Sequence, residues 1–318
     1  MPDTAIAVSR ELPAGLAQGL ASLGEVRITA AKPDLMQDCG VYVTTPMDPV
    51  PEGLIDQLPG SIALIASIGV GTDHIDLEAA TRRGLLVSNT PVVTQDTADL
   101  CFALLLATCR RLNYSERRLR AGDWSAGAAV EGMRVHGKTL GIVGFGGIGQ
   151  ALARRARGFD MRVLYHGPGR KVGAEATLGA EYRAGLRELL EEADIVSLNC
   201  PLNAATRHLI NRQSLSWMKP GSVLINTGRG PLVDEAALIE ALHDGSLGAA
   251  GLDVFEFEPE VSPGLLELDN VCLLAHIGSA SIECRRDMGT RLLRNIQAYF
   301  RDGRPLDNCV PVPASAAG

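Results

Sequence analysis

Three residues that can do chemistry together stand just past apolar runs in the last third of the chain. Arg229 lies in Asn226-Thr227-Gly228-Arg229-Gly230, Glu258 follows the run that ends near Asp253, and His276 closes the run Val271–His276. If the runs are neighbouring parallel strands, all three residues fall on one edge of the sheet. An arginine there can hold a carboxylate with two parallel N–H bonds and polarise a neighbouring carbonyl. A histidine titrating near neutrality can deliver a proton to the oxygen while hydride reaches the carbon. Glu258 would hydrogen-bond that imidazole, orient it and favour its cation. Each residue also has a bland reading: a loop cation, one acid of a solvated Glu256–Glu260 run, a satisfied core histidine. Their shared place at the strand ends favours the reduction site.

A reduction needs a hydride source, and Lys138–Gly149 offers a place for one. The short apolar strand Thr139–Val143 runs into Gly144-Phe145-Gly146-Gly147-Ile148-Gly149, and Gln150–Arg157 reads as a helix. Strand, glycine turn and helix in that order are the context of a dinucleotide fingerprint. Gly144 allows the tight turn, Gly146 lets the backbone approach a pyrophosphate, and Gly149 lets helix and strand pack closely. The helix N-terminus adds unpaired N–H groups and partial positive charge. A chain with 35 glycines produces chance matches, so the flanking elements give the motif its weight.

The elements that must position these residues follow from composition. At 318 residues the chain can bury two cores. Hydrophobic residues make up 46% but aromatics only 4%, so the cores are aliphatic, which suits parallel strands buried on both faces. Thr4–Ser9, Glu25–Thr29, Val41–Thr45, Ile62–Ser67 and Leu85–Asn89 read as strands of a first sheet, with helical segments between most of them. After the glycine turn come Arg162–His166, Asp194–Asn199, Ser222–Thr227, Ala249–Phe255 and Val271–His276. With Thr139–Val143 these make six strands, a full dinucleotide-binding sheet. Asp234 caps the helix Glu235–His243, and Gly245 closes it.

Two stretches stay open at this level. Ser67-Ile68-Gly69-Val70-Gly71-Thr72-Asp73 follows a strand and reads either as backbone N–H groups offered to a carboxylate or as a plain turn. Residues 96–112 read as one helix, with Asp96 and Asp99 near its start and Arg110 and Arg111 near its end. Because Leu100–Ala107 is apolar all round, this helix should be buried on every side. It reads as a link between domains within a subunit interface, or as internal core.

Several classes are excluded. A net charge of −7 argues against a nucleic-acid surface. The most apolar run, Leu100–Cys109, is half the length needed to span a bilayer. Met1 is followed by Asp3 and an early polar stretch, which does not read as a signal peptide. Seven cysteines, odd in number and without C-x-x-C pairs, read as reduced thiols of a cytoplasmic protein with no metal site. The tail Pro311–Gly318 reads as frayed.

Nearly the whole chain resembles the D-isomer-specific 2-hydroxyacid dehydrogenase family. The resemblance is carried by Gly69–Asp76, Asn89-Thr90-Pro91 with Thr97-Ala98-Asp99, the glycine fingerprint, Asn226–Gly230, Leu252–Phe255 with Glu258-Pro259, and His276–Ser279. It implies an α/β fold of two doubly wound parallel-sheet domains. A Rossmann dinucleotide-binding domain, residues 96–283, is inserted into a flavodoxin-like substrate domain formed by 1–95 and 284–318. It implies Arg229, Glu258 and His276 as catalytic residues, and Val70 and Gly71 as backbone donors to the substrate carboxylate. It places Asp253 on the nicotinamide carboxamide, Gly278 beside the cofactor, Cys200 and Pro201 along the adenine side, and Thr97 and Thr227 near the cofactor. It also implies a homodimer.

The strand Arg162–His166 leads into Gly167-Pro168-Gly169-Arg170-Lys171. An NAD-binding member of the family is expected to carry Asp where Gly167 stands, to take both ribose hydroxyls. That carboxylate is missing, and Arg170 and Lys171 could instead bind a ribose 2′-phosphate. Together with the fingerprint residues and His166, this predicts NADP(H) as the preferred cofactor, with NAD(H) as the alternative, and points to the glyoxylate and hydroxypyruvate reductase branch. The expected reaction is reduction of a small 2-oxoacid to the D-2-hydroxyacid. Thr44-Thr45-Pro46 and the later Arg285, Arg286, Met288 and Arg291 are the candidates to select its side chain. A phosphoglycerate dehydrogenase, a formate dehydrogenase and a dinucleotide-sensing corepressor are weaker readings. The first often needs a further regulatory domain, the second has no use for the Glu–His pair, and the third has no use for three retained catalytic residues.

Overall fold

The computed structural model describes residues 4–125 and 131–311. It divides into two compact units, Met1–Val93 with Ala280–Gly318, and Thr94–Ser279.

The first unit holds five parallel strands: β1 Ala5–Val8, β2 Val26–Ile28, β3 Cys39–Thr44, β4 Leu64–Ser67 and β5 Leu86–Ser88. Their order is β2-β1-β3-β4-β5, that of a flavodoxin-like sheet. Every residue of β1, β3, β4 and β5 is buried, as expected of strands covered on both faces. The helices between them are α1 Ala14–Ala21, α2 Glu52–Gln57 and α3 Leu77–Arg82. Asp76 caps α3 by accepting the Ala79 N–H at 2.8 Å. The chain returns to this unit at its end, where Leu292 and Ile296 share a core with Ile6, Val8, Val41 and Leu64.

The second unit opens with α4 Thr94–Cys109 and α5 Leu112–Arg120. Seven parallel strands follow: β6 Thr139–Val143, β7 Arg162–His166, β8 Ala180–Tyr182, β9 Ile195–Leu198, β10 Val223–Asn226, β11 Ala249–Leu252 and β12 Val271–Leu273. Between them lie α6 Gly147–Ala156, α7 Val172–Leu178, α8 Leu186–Glu192, α9 Arg212–Leu215, α10 Glu235–His243 and α11 Pro263–Leu266; α12, Ile282–Asp302, belongs to the first unit. The sheet order is β12-β11-β10-β9-β6-β7-β8, a doubly wound sheet whose order reverses between β6 and β9. Alternation along the strands feeds two cores. Leu140 and Ile142 of β6 enter one and Val143 the other, while Val223 and Ile225 of β10 part from Leu224 in the same way.

Several sequence expectations change. The second sheet has seven strands rather than six: β8 is a three-residue edge strand, Ala-Glu-Tyr, too short to show a period. The helix expected over 96–112 is two helices. Arg111 adopts a left-handed backbone at φ 52° between α4 and α5, and its guanidinium stacks 4.6 Å over the Tyr114 ring. Nor is α4 buried all round, since Ala103 is exposed. The helix after the glycine turn starts at Gly147, three residues before Gln150, so the fingerprint itself forms its first turn.

Candidate active site

The glycine turn occupies the carboxyl end of β6, beside the reversal of strand order. Gly144 has φ 95°, and a β-carbon there would lie 2.4 Å from the backbone N of Cys200. One on Gly149 would lie 2.3 Å from the carbonyl oxygen of Gly144. Glycine is therefore required at both places, for turning and for close packing. Gly146, the N-cap of α6, has nothing within 4 Å of its missing side chain, and both it and Gly147 are exposed. Beyond the turn, Asn199 Oδ1 is buried with no hydrogen-bond partner among the described residues. An open, helix-capping backbone with a neighbouring unmet acceptor fits a dinucleotide, whose pyrophosphate would be held by the turn and whose nicotinamide supplies hydride. Phe145 contributes only backbone. Its side chain is buried and stacks on Tyr165 at 4.1 Å, and its carbonyl accepts from Gln150 at 3.0 Å. Ile148 is half-buried in the first turn of α6.

At the end of β7, His166 accepts the Gly144 N–H on its carbonyl at 2.8 Å and turns its ring Nδ1 to the Arg183 carbonyl at 3.1 Å. Gly167 has open space where a side chain would go. Lys171 is exposed, and its backbone N–H donates to Tyr165 Oη at 2.7 Å. Arg170 is exposed but engaged, paired with Glu175.

The residues expected to do chemistry come together past β10, β11 and β12. Glu258 accepts His276 Nδ1 on Oε2 at 2.8 Å and the Phe255 N–H on Oε1 at 2.9 Å. Burial pushes the Glu258 carboxyl up, but those hydrogen bonds and the charges of His276 and Arg229 outweigh it and hold the group below its ordinary value. Glu258 is therefore ionised near neutral pH, and it fixes Nδ1 of an exposed imidazole. Arg229 sits on the neighbouring turn, with Nη1 donating to the Gly228 carbonyl at 2.9 Å. Asn226 shapes that turn: its Nδ2 donates to the Arg229 carbonyl at 2.9 Å, and its Oδ1 accepts the Gly228 N–H at 3.0 Å. A fixed imidazole, an ionised carboxylate behind it and an adjacent guanidinium can bind a carboxylate and protonate an oxygen.

His276 itself has φ 53°, a left-handed conformation uncommon for a residue with a side chain. Three bonds impose it. Its N–H donates to the Asp253 carbonyl at 2.8 Å, and the two Asp253 carboxylate oxygens accept the N–H groups of Ile277 and Gly278, each at 2.8 Å. Both oxygens of Asp253 thus hold the histidine turn, a structural duty beyond the nicotinamide contact the resemblance implied. Burial raises the Asp253 carboxyl despite those N–H groups. Thr97 is buried close by; a β-carbon on Gly278 would lie 3.2 Å from Asp253 Oδ2 and 3.6 Å from Thr97 Cγ2. Thr227 is buried at the end of β10, Pro201 is exposed, and burial pushes the Cys200 thiol up to about 11.

Sequence reasoning missed the network behind Glu258. Glu256, placed in a solvated acidic run, is a buried side chain bonded to His208 Nε2 at 2.6 Å. Its Oε2 accepts the Glu235 N–H at 3.3 Å, and Glu235, itself buried, accepts the Glu256 N–H and the Ser262 hydroxyl. These carboxylates clamp the loop that carries Glu258. The one available signal was an acid at the start of α10, which reads as ordinary helix-end charge.

In the other unit, the turn after β4 is held by Gly69 N–H donating to Thr90 Oγ1 and Asn89 Nδ2 donating to the Val70 carbonyl, each at 2.8 Å. Gly69 has φ 144°, Val70 is exposed and Gly71 half-buried. Of the residues singled out after His276, Met288 is buried against Val93 and Cys284, and Arg291 is spent on Asp307 at 2.5 Å. Arg285 and Arg286 are exposed. Thr45 donates to Asp48 at 2.7 Å. None of the seven cysteines forms a disulfide. Among the described residues no group of acids, histidines and cysteines could hold a metal ion, and no helix is long and apolar enough to cross a membrane.

Comparison with known proteins places this geometry. The model of the D-isomer-specific 2-hydroxyacid dehydrogenase NAD-binding domain matches residues 102–278. A glyoxylate reductase of Pyrococcus furiosus is 46% identical over 277 residues, 85% of this chain and 82% of the relative. The NADPH-dependent glyoxylate/hydroxypyruvate reductase of Sinorhizobium meliloti, solved with NADP and malonate, superposes with a TM-score of 0.89 at 36% identity, covering 96% of each chain. The holo form of Rhodotorula graminis D-mandelate dehydrogenase gives 0.90 at 31% identity over 99% of each. The chain belongs to the D-isomer-specific 2-hydroxyacid dehydrogenase family, in the branch of the glyoxylate reductases.

Proposed function

We propose that the protein reduces a small 2-oxoacid, glyoxylate, hydroxypyruvate or a close analogue, to the D-2-hydroxyacid, with NADPH preferred over NADH. The observation that carries this reading is the 2.8 Å contact of His276 Nδ1 with an ionised Glu258, which leaves Nε2 for the substrate oxygen. Arg229 holds the substrate carboxylate and polarises the carbonyl. His276 gives its Nε2 proton to the carbonyl oxygen as hydride arrives at the carbon, which leaves a neutral imidazole hydrogen-bonded through Nδ1 to the Glu258 carboxylate. In the other unit, the Val70–Gly71 turn is the candidate for binding an anion through backbone N–H groups. The relatives named glyoxylate reductase support the substrate class. The open space at Gly167, where an NAD-binding relative is expected to carry Asp, supports NADPH, as does the NADP complex of the Sinorhizobium relative.

The unit that carries the glycine turn is our candidate for the homodimer surface. Leu112, Leu119 and Trp124 are exposed along and just after α5, an apolar face that a second copy would cover. The cytoplasm is the compartment that seven cysteines without a disulfide favour. The decisive experiment is a panel of 2-oxoacids with NADPH and NADH, followed at the nicotinamide absorbance. Turnover of glyoxylate or hydroxypyruvate is expected; dinucleotide binding without turnover of any 2-oxoacid would make the protein a sensor instead.

A further inference from the structure

The loop after β7 sets its only arginine against a carboxylate of the helix that follows. Arg170 Nε donates to Glu175 Oε1 at 2.9 Å and to Oε2 at 3.0 Å, while Nη2 donates to Oε2 at 2.9 Å. Glu175 is not free to swing away. It lies in the first turn of α7 with its side chain only 12% exposed, and Tyr165 Oη donates to its Oε1 at 2.6 Å. Tyr165 is in turn buried in β7 and stacked on Phe145 of the glycine turn. Arg170, by contrast, is 64% exposed on the side chain. An anchored anion therefore occupies one edge of an exposed cation.

We propose that Glu175 is a resident competitor for Arg170, setting how strongly the site favours a 2′-phosphorylated cofactor. This rests on the NADP(H) reading above. A guanidinium binds phosphate best through two parallel N–H bonds, and the Nε/Nη2 edge that would make them is already bonded to a carboxylate. A phosphate must displace Glu175 from that edge, or accept the remaining Nη1 edge with a fixed negative charge nearby. Either course weakens the contact, while a cofactor with a bare 2′-hydroxyl pays no such penalty. The consequence is a pocket that prefers NADPH but still admits NADH.

The test uses adenosine 2′,5′-bisphosphate and adenosine 5′-monophosphate, which differ by the 2′-phosphate alone, titrated calorimetrically against wild type, Glu175→Gln, Glu175→Ala, Arg170→Ala and the Arg170→Ala/Glu175→Gln double variant. The readout is the ratio of the two affinities, so any general loosening of the loop cancels. Both Glu175 variants should raise the ratio about three- to fivefold, the scale of an exposed ion pair, and the double variant should lose that gain. A ratio that stays the same or falls in both Glu175 variants overturns the proposal; a fall means that Glu175 holds the arginine in place for the phosphate. The NADP(H) reading fails by a different result, a wild-type ratio near one that Arg170→Ala does not change.

Discussion

A β-carbon placed on Gly230 would lie 1.8 Å from the carbonyl oxygen of Phe255. The turn carrying Arg229 and the loop carrying Glu258 are therefore packed backbone against backbone, with no side chain between them. The proximity of guanidinium and carboxylate depends on that contact. Gly230→Ala should separate the loops at a cost above the roughly 1–3 kcal/mol usual for overpacking. We expect the melting temperature to fall by about 5 °C or more and turnover to fall even well below the melting point. A scan that overlays the wild type would refute the contact.

His276→Ala should lower turnover about a hundred- to ten-thousandfold, the range for general acid catalysis, while the dissociation constant for the dinucleotide changes little. The motive is the single-sided fixing of the ring by Glu258. Fluorescence titration of the cofactor beside steady-state rates checks both halves. A loss of only a few-fold would mean that water or another group supplies the proton.

Glu258 gives a pH signature. Its carboxyl is held below the ordinary value when folded, so the native state binds fewer protons than the unfolded chain. Its stabilising contribution is complete above the ordinary glutamate pKa of about 4.3 and is lost as pH falls through the lower folded value. Glu258→Gln should flatten the acid limb of stability in thermal scans from neutral pH down to about pH 3. It should also reduce turnover at neutral pH, since the amide keeps the shape but not the charge. An unchanged acid limb would count against the pairing with His276.

Replacing Arg229 by Lys should raise the Michaelis constant for the 2-oxoacid and lower turnover together, because the point charge loses the planar two-point fork. Near-normal efficiency on glyoxylate in the Lys variant would remove Arg229 from carboxylate binding.

Gly167→Asp should move the two cofactors in opposite directions. The site has space for the side chain, so the effect will be electrostatic: repulsion of a 2′-phosphate and a ribose partner for NADH. Losing a charge-assisted contact of about 1.5–3 kcal/mol corresponds to roughly a ten- to hundredfold change. Michaelis constants for NADPH and NADH in both proteins decide it. If both cofactors weaken equally, position 167 does not face the ribose.

Sequence alone determined what local pattern encodes. Runs with apolar centres such as Thr139–Val143 and Arg162–His166 became strands with those bounds, because the middle of a strand buried on both faces can tolerate little else. The spacing of Gly144, Gly146 and Gly149 encoded a turn that no side chain could occupy at its first and last positions. The strand-end positions of Arg229, Glu258 and His276 were legible because parallel topology sends every carboxyl end to one edge. Tertiary structure decided what depends on distant partners. Glu256 looked solvated until His208 and Glu235 were folded onto it, and Arg291 looked available until Asp307 took it. Asp253 spends its carboxylate on the turn of His276, and Arg170 meets Glu175 across the start of a helix. A charged side chain carries no local mark of its partner, since the pairing is set by which backbones the core brings together. Residue type and spacing therefore specified where the chemistry collects, and only the packing of loops specified which charges are free to perform it.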